Sequence, residues 1–422
     1  MAQLPPEIFD LFIDQLSDSP YDLKACALVS KSWLRRARSH LFRHVTLALM
    51  SFRGFTGSML LDVMDDYRLS FQDFFRTPEI SLCVRGLSIL SREWRLDSLS
   101  GQVIHRDFPF SSFRRLPFRD VSFLEFDFLA LDHHLSTSET FEDALLCMPL
   151  LERVILRNLL VQSELTIVPD APNCDVFAFL TTHCPRVTLL CIQTLTCPAS
   201  ILPPNTPAAD GYRAIVHDWE KKRSRVSSLI LRSLYLDGIE PVVLENLVLP
   251  AAAGCFSSSL LQTLFIPATQ FSLLAPYDLS NVTRLTLKQT TTDDHLNQYI
   301  NETSFPSLRH LQLLLSSLKD IKPLLMFAYK IIISSTMDLN LHQKELHIEG
   351  PDDLFDTVES TDVLDLELEE FFRMWKSLLP SSLCRITINR GQDELKARFP
   401  RSTASGMLTS GKGDIWWDVN YW

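Results

Sequence analysis

A short apolar phrase, apolar-x-x-apolar-x-apolar, returns along most of this chain and constrains its fold more than anything else in it. The phrase occurs around Val45/Leu47, Leu87/Ile89, Leu124/Phe126, Val154/Leu156, Leu190/Ile192, Leu229/Leu231, Leu264/Ile266, Leu285/Leu287, Leu311/Leu313, Leu346/Ile348 and Ile386/Ile388. Its last two apolar positions are two residues apart, so they share one face of an extended strand. Strands recurring every 20 to 42 residues or so ask for a sheet in which each lies beside its predecessor.

The stretches between strands read as helices or loops. Residues 141–147, 175–180, 212–222 and 294–300 carry helical spacing. Met148-Pro149, Cys184-Pro185 and Phe305-Pro306 then stand just before a strand, where Pro stops a helix. The expected fold class is α/β, with strand–helix repeats in a curved, mostly parallel sheet over residues 46–395. Three segments break the rhythm. Residues 199–209, with Pro203, Pro204 and Pro207, read as an extended loop. Residues 351–370 are acidic and run into Leu364, Leu368, Phe371, Phe372, Trp375 and Leu379 at helical spacing. Residues 396–422 form a tail whose aromatic end, Trp416, Trp417, Tyr421 and Trp422, is expected to cap the last repeat.

Composition excludes several function classes. With 12 Gly in 422 residues, and no G-x-G-x-x-G or G-x-x-x-x-G-K-[ST], the chain lacks the loops that cradle phosphates. A net charge of −11 speaks against nucleic-acid partners. The basic run Lys31, Arg35, Arg36, Arg38 and Arg43 reads as a solvated or partner-facing helix face. The apolar run from Pro323 to Ile333 contains Lys330 and is too short for a bilayer, so no membrane role is expected. Nine Cys without C-x-x-C pairs, Cys184, Cys191 and Cys197 included, suit free thiols in a reducing compartment, in the cytoplasm or nucleus. His133-His134 and Asp293-Asp294-His295 lack the company a metal or acid–base site needs. No catalytic site, metal or cofactor is expected, and the chain is read as not itself an enzyme.

The first 45 residues are a different object. Leu4-Pro5-Pro6-Glu7-Ile8 opens a helix with Pro where a missing N–H costs nothing. Ile8, Leu11, Phe12 and Leu16 follow on one helical face, and Ser17-Asp18-Ser19-Pro20 makes a turn. A second helix is expected to carry Leu23, Ala27, Leu28, Trp33 and Leu34, with Val29 and Trp33 sharing a face four residues apart. So small a unit holds more apolar surface than it can bury alone.

At these residues the chain resembles an F-box of the kind found in mushroom-forming fungi. Leu4-Pro5-Pro6-Glu7, then Leu23-Lys24-Ala25-Cys26-Ala27-Leu28-Val29-Ser30-Lys31-Ser32-Trp33, then Ala37-Arg38-Ser39-His40-Leu41-Phe42 carry the likeness. The remainder resembles an irregular leucine-rich repeat domain, departing from it in long periods and in a mostly missing Asn or Cys after the strand. The resemblance implies docking on a Skp-family adaptor and, through it, a cullin scaffold and ubiquitin ligation. Leu4, Pro5, Glu7, Ile8, Leu28, Val29 and Trp33 would meet the adaptor. The repeats would bind an unidentified protein target, with Arg153, Arg157, Arg232, Arg284, Lys288, Arg309 and Gln312 as the outward candidates. The expectation is thus the substrate receptor of an SCF-type ligase; its competitor is an interaction scaffold that carries the module without a role in ubiquitination.

Overall fold

Among the described residues most steps into the sheet are built alike, and the cause lies in the residues just ahead of the strand. The computed structural model describes residues 5–49, 75–91, 95–96, 103–104, 118–127, 130–132, 145–162, 180, 184–196, 229–239, 244, 258–274, 277–289, 305–316, 321–334, 344–349, 358–378, 384–388, 392–404 and 408–410. The chain divides into two compact units, residues 1–230 with 242–256 and residues 231–241 with 257–422.

The first unit opens with helices α1 (Pro6–Asp14), α2 (Pro20–Val29) and α3 (Lys31–Leu41). After them come β1 (His44–Leu49), the single-turn helix α4 (Pro78–Ser81) and β2 (Gly86–Ser91). Beyond a short antiparallel pair, β3 (Arg95–Leu96) with β4 (Val103–Ile104), lie β5 (Phe123–Asp127), β6 (Ala130–Asp132), β7 (Arg153–Gln162) and β8 (Leu189–Thr196). The strands pair in parallel in the order β1-β2-β5-β7-β8, with β6 alongside the far half of β7.

The second unit stacks β9 (Ser233–Ile239), β10 (Thr263–Pro267), β11 (Arg284–Lys288), β12 (His310–Leu314), β13 (Lys344–Glu349), β14 (Cys384–Ile388) and β15 (Leu408–Ser410) in chain order, all parallel. Helices α5 (Ile321–Ser334), α6 (Val358–Leu378), α7 (Gln392–Arg398) and α8 (Pro400–Ala404) accompany them. The expected α/β class and parallel sheet are therefore present.

The apolar phrase explains the stacking. A tight turn precedes β7, β8, β11 and β12, its last N–H bonded to the carbonyl three residues back: Leu151 to Met148, Val187 to Cys184, Val282 to Leu279, Leu308 to Phe305. The next two N–H groups then share one carbonyl of the preceding strand's approach. Glu152 and Arg153 donate to Ser122, Thr188 and Leu189 to Glu152, Arg309 and His310 to Thr283. This fixes the register, so like apolar residues fall side by side. Leu87, Leu124, Val154 and Leu190 form one row, and Leu264, Leu285, Leu311 and Leu346 another. Every member of these rows is buried, as are the turn residues Met148, Cys184 and Phe305.

Between Asn158 and Thr194, both at positive φ, the ladder of β7 with β8 skips a pair and then resumes. Gly238 holds the same conformation four residues after Leu234, as Asn158 does after Val154. A left-handed residue at this place bends the strand, which Gly adopts freely, Asn tolerates and β-branched Thr resists.

Three expectations need adjusting. The strand placed at Leu229/Leu231 lies at Leu234/Leu236, with Leu229 and Leu231 buried in the approach to it. Strands β3, β4, β6 and β15 were not expected. The boundaries drawn after residues 45 and 395 fall inside β1 and α7, and β15 pairs with β14 within the expected tail. The acidic helix does pack inward, burying Leu364, Leu368, Phe371 and Phe372. Its Asp365 is buried too, accepting from the Arg401 and Ser402 N–H groups and the Ser402 hydroxyl at the start of α8.

Candidate functional site

The N-terminal helices form a small bundle whose own core is Ile13, Leu23, Cys26 and Ala37, with Leu16, Ala27, Trp33 and Leu41 packed around it. Pro6 starts α1 and Pro20 starts α2. Ser30 ends α2 in an extended conformation and caps α3, its hydroxyl accepting from the Trp33 N–H at 3.2 Å. The single second helix expected from the sequence is therefore two helices. Trp33 consequently turns inward, its ring 5.4 Å from Phe9 and 6.3 Å from Phe12. It packs against the bundle's core while staying partly exposed beside Phe12.

One polar clamp ties α1 to α3. Arg36 donates through Nε and Nη2 to the two oxygens of Asp14, each at 2.6 Å, and His40 Nε2 donates to the same carboxylate at 2.7 Å. The Arg36 hydrogen bond, then that of His40, holds the Asp14 carboxyl down at about 2. Arg36, read from the sequence as part of a solvated or partner-facing basic face, is thus paired across the bundle with Asp14 while both stay partly open to water.

Several of the side chains the bundle leaves uncovered are apolar. Ile8 is 47% exposed, Leu11 60% and Phe12 56%, along one stripe of α1. Leu28 is 88% and Val29 63% exposed at the end of α2, and Tyr21 stands open at its start. Pro5 and Glu7 are exposed as well; Leu4 lies outside the described residues. The stripe Ile8, Leu11, Phe12 is not the core face, because Phe9, Ile13 and Leu16 take that role. Exposed apolar groups of this size, gathered on so small a module, mark an interaction surface.

The second candidate surface is the outward face of the strands. In the first unit a polar chain crosses four of them. His44 Nε2 lies 2.8 Å from the Ser88 hydroxyl, which donates to Glu125 at 2.6 Å, and Glu125 pairs with Arg157 at 3.0 Å. Because the Ser88 proton goes to a carboxylate, His44 Nε2 must carry hydrogen and donate. Burial pushes the His44 imidazole below its ordinary value, Glu125 opposing and Arg153 adding to that shift. The His44 ring rests over Gly86, where a Cβ would meet its Nδ1 at 2.6 Å, and tilts against Phe123 at 5.3 Å. Arg153 lies over the other partner of that ring, its guanidinium 5.7 Å from the Phe123 centroid. Ser88 is buried with its hydroxyl used on both sides, so it is not presented as a nucleophile.

In the second unit Thr286 donates to Gln312 at 3.1 Å and Gln312 to Glu349 at 2.9 Å, while Lys288 reaches Asp237 at 2.7 Å. Tyr235 and Phe265 stack at 3.8 Å on the same row.

Of the outward candidates, Arg153, Arg157, Arg284, Lys288 and Gln312 lie within strands β7, β11 and β12, Gln312 between Leu311 and Leu313 and the others flanking the inward apolar pair. Gln312 is buried and committed to its neighbours, which removes it from recognition. Arg232 and Arg309 stand in the approach turns ahead of β9 and β12, exposed, rather than on the strands. The spacing missed Ser88, Glu125, Asp127 with its partner Asn158, Asp237 and Glu349, all of which face outward beside the candidates.

Residues 133–134, 293–295, 197 and 414–422, and the helices expected at 212–222 and 294–300, lie outside the described residues. Among the described residues no helix is long and apolar enough to cross a membrane, and no group of three or more His, Cys, Asp or Glu is placed to hold a metal. Cys26, Cys184 and Cys191 are buried cysteines outside any disulfide, and burial pushes the Cys184 thiol up to about 12. Compared with models of known protein families and with curated proteins, the chain finds no match.

Proposed function

We propose that the N-terminal helices dock this chain on a Skp-family adaptor and that the stacked strands present a protein target, making it the substrate receptor of an SCF-type cullin ubiquitin ligase. The observation that carries the reading is the exposure of Ile8, Leu11, Phe12, Leu28 and Val29 on the module that bears the F-box-like sequence. A bundle with a core of four buried side chains gains most by placing such groups against a partner. In this role the chain performs no bond chemistry. It supplies proximity, holding a target near ubiquitin carried by another subunit.

The test is capture of purified adaptor by the full chain. Leu28→Ala with Val29→Ala is expected to weaken capture by about 2 kcal/mol or more, the usual cost of truncating interface anchors. Both side chains are largely exposed, so the melting curve of the variant should match that of the parent. No capture by the parent chain overturns the adaptor reading. Capture without ubiquitin transfer to any bound protein by the assembled complex favours the scaffold role instead.

A further inference from the structure

We infer that the outer stripe of α3 is a docking surface for an acidic segment of a protein partner. Residues 31–43 contain Lys31, Arg35, Arg36, Arg38 and Arg43 and no Asp or Glu, in a chain with 51 acidic and 40 basic residues. The helix has three faces. Trp33, Ala37 and Leu41 point to the bundle core, and Arg36 with His40 clamps Asp14. Lys31, Arg35 and Arg38, at i, i+4 and i+7, form the third.

Lys31 and Arg35 are exposed and Arg38 is half-exposed. Among the described residues no carboxylate lies within ion-pair distance of these three or of Arg43. Elsewhere Arg85 meets Asp120, Arg157 meets Glu125, Lys288 meets Asp237 and Lys322 meets Glu370. Arg43, just past the helix, is exposed as well, and Arg35 and Arg38 lie within electrostatic reach of Cys83. Arg43 and Arg85 hold the same place in successive strand approaches, the Arg85 N–H donating to the Arg43 carbonyl at 2.8 Å. Like charges at i, i+4 repel and weaken a helix, a cost that an opposed acidic surface removes.

Two features point to a protein rather than a nucleic acid. The stripe runs seven residues, roughly 10 Å, which suits two or three carboxylates but gives a polynucleotide no track to follow. It also begins two residues after Val29, so one partner can cover the exposed apolar end of α2 and meet the stripe with acid. That last point rests on the docking role proposed for the module; the charge argument does not.

The test uses the full chain and a dye-labelled peptide in which Asp and Glu alternate with Leu, followed by fluorescence anisotropy. A matched Asn/Gln peptide and a labelled single-stranded DNA are the other arms. The acidic peptide is expected to bind at low salt and weaken as salt rises. Arg35→Glu with Arg38→Glu should reduce its affinity roughly tenfold or more. Arg186→Glu with Lys396→Glu makes the same change in net charge at exposed positions elsewhere and should leave affinity within about twofold. Equal losses in both pairs, equal binding of the neutral peptide, tighter binding of DNA, or no binding of the acidic peptide overturns the proposal. Circular dichroism checks that the reversed pair is folded; if it is not, Arg35→Gln with Arg38→Gln replaces it, and undiminished binding overturns the proposal. Failure of adaptor capture alongside stripe-dependent peptide binding would sink the ligase reading and leave this one standing.

Discussion

The N-terminal bundle and the strand stack of the first unit share one compact body yet are held together by different means. The bundle's core is four buried side chains, and its α1–α3 contact leans on the Asp14 clamp. Each step of the stack buries three apolar positions, as in Leu151, Val154 and Leu156, and repeats the same turn and shared carbonyl. A repeated step finds its core in its neighbours, so stability accumulates along the stack. The bundle instead presents Leu11, Phe12 and Leu28 to solvent. Self-sufficiency in one region and surplus apolar surface in the other is the division expected of a body that recognises something and a head that docks.

The sharpest way to break this contrast is to open the stack. Phe126 is buried in its second apolar row, facing Ile89 and Leu156. Phe126→Ala should cost about 3–5 kcal/mol, through lost transfer energy and a cavity that parallel neighbours cannot close. Urea unfolding of the full chain measures it. A loss under about 1 kcal/mol would mean that the stack is loosely packed and that the contrast is false.

A smaller effect tests the outward face. Gly86→Ala would drive a Cβ into the His44 ring and displace it from Ser88. The expected cost is about 1–2 kcal/mol, typical of overpacking a site with some room to adjust. Removing the ring as well should cancel the clash, so His44→Ala with Gly86→Ala should be no less stable than His44→Ala alone. Additive losses in this cycle would show that Gly86 is needed for its backbone and not for the ring.

The stack was legible in the sequence because its phrase has one period and one buried face. It misled only where two registers compete: Leu229, Leu231, Leu234 and Leu236 are all apolar, and the bonds of the strand approach, not hydropathy, choose the later pair. The bundle was legible as helices but not as faces. Beside its acidic edge of Glu7, Asp10 and Asp14, helix α1 is apolar over more than half its circumference, so periodicity alone could not say that Phe9 and Ile13 go in while Leu11 and Phe12 stay out. Ser30 did carry a signal, being a good N-cap ahead of a helical run, though without Gly or Pro beside it the break looked like continuous helix. The polar chain from His44 to Arg157 joins residues more than a hundred positions apart, which only the register of four strands brings together.

The finest test concerns the clamp, where the bundle differs most from the stack. The Arg36 and His40 hydrogen bonds lower the Asp14 carboxyl from 3.8 to about 2, so its native charge is favoured. A carboxyl depressed on folding adds stability that is whole above its unfolded value and is lost as pH falls through the folded one. The bundle should therefore hold from neutrality down to about pH 4 and loosen between there and about pH 2. Asp14→Asn should lower bundle stability by about 1 kcal/mol near neutrality, a modest figure because both partners are partly open to water. The same substitution should flatten this acid-dependent loss. Trp33 fluorescence cannot be assigned among seven Trp, so amide exchange of α1 and α3 is the measurement, with the strand amides as internal reference. Acid loosening that is just as large in Asp14→Asn would place the titrating group elsewhere, and the clamp would then be a contact without weight. Loosening confined to the helices in the parent and absent from the variant would show that the head is pinned by charge while the body is held by packing.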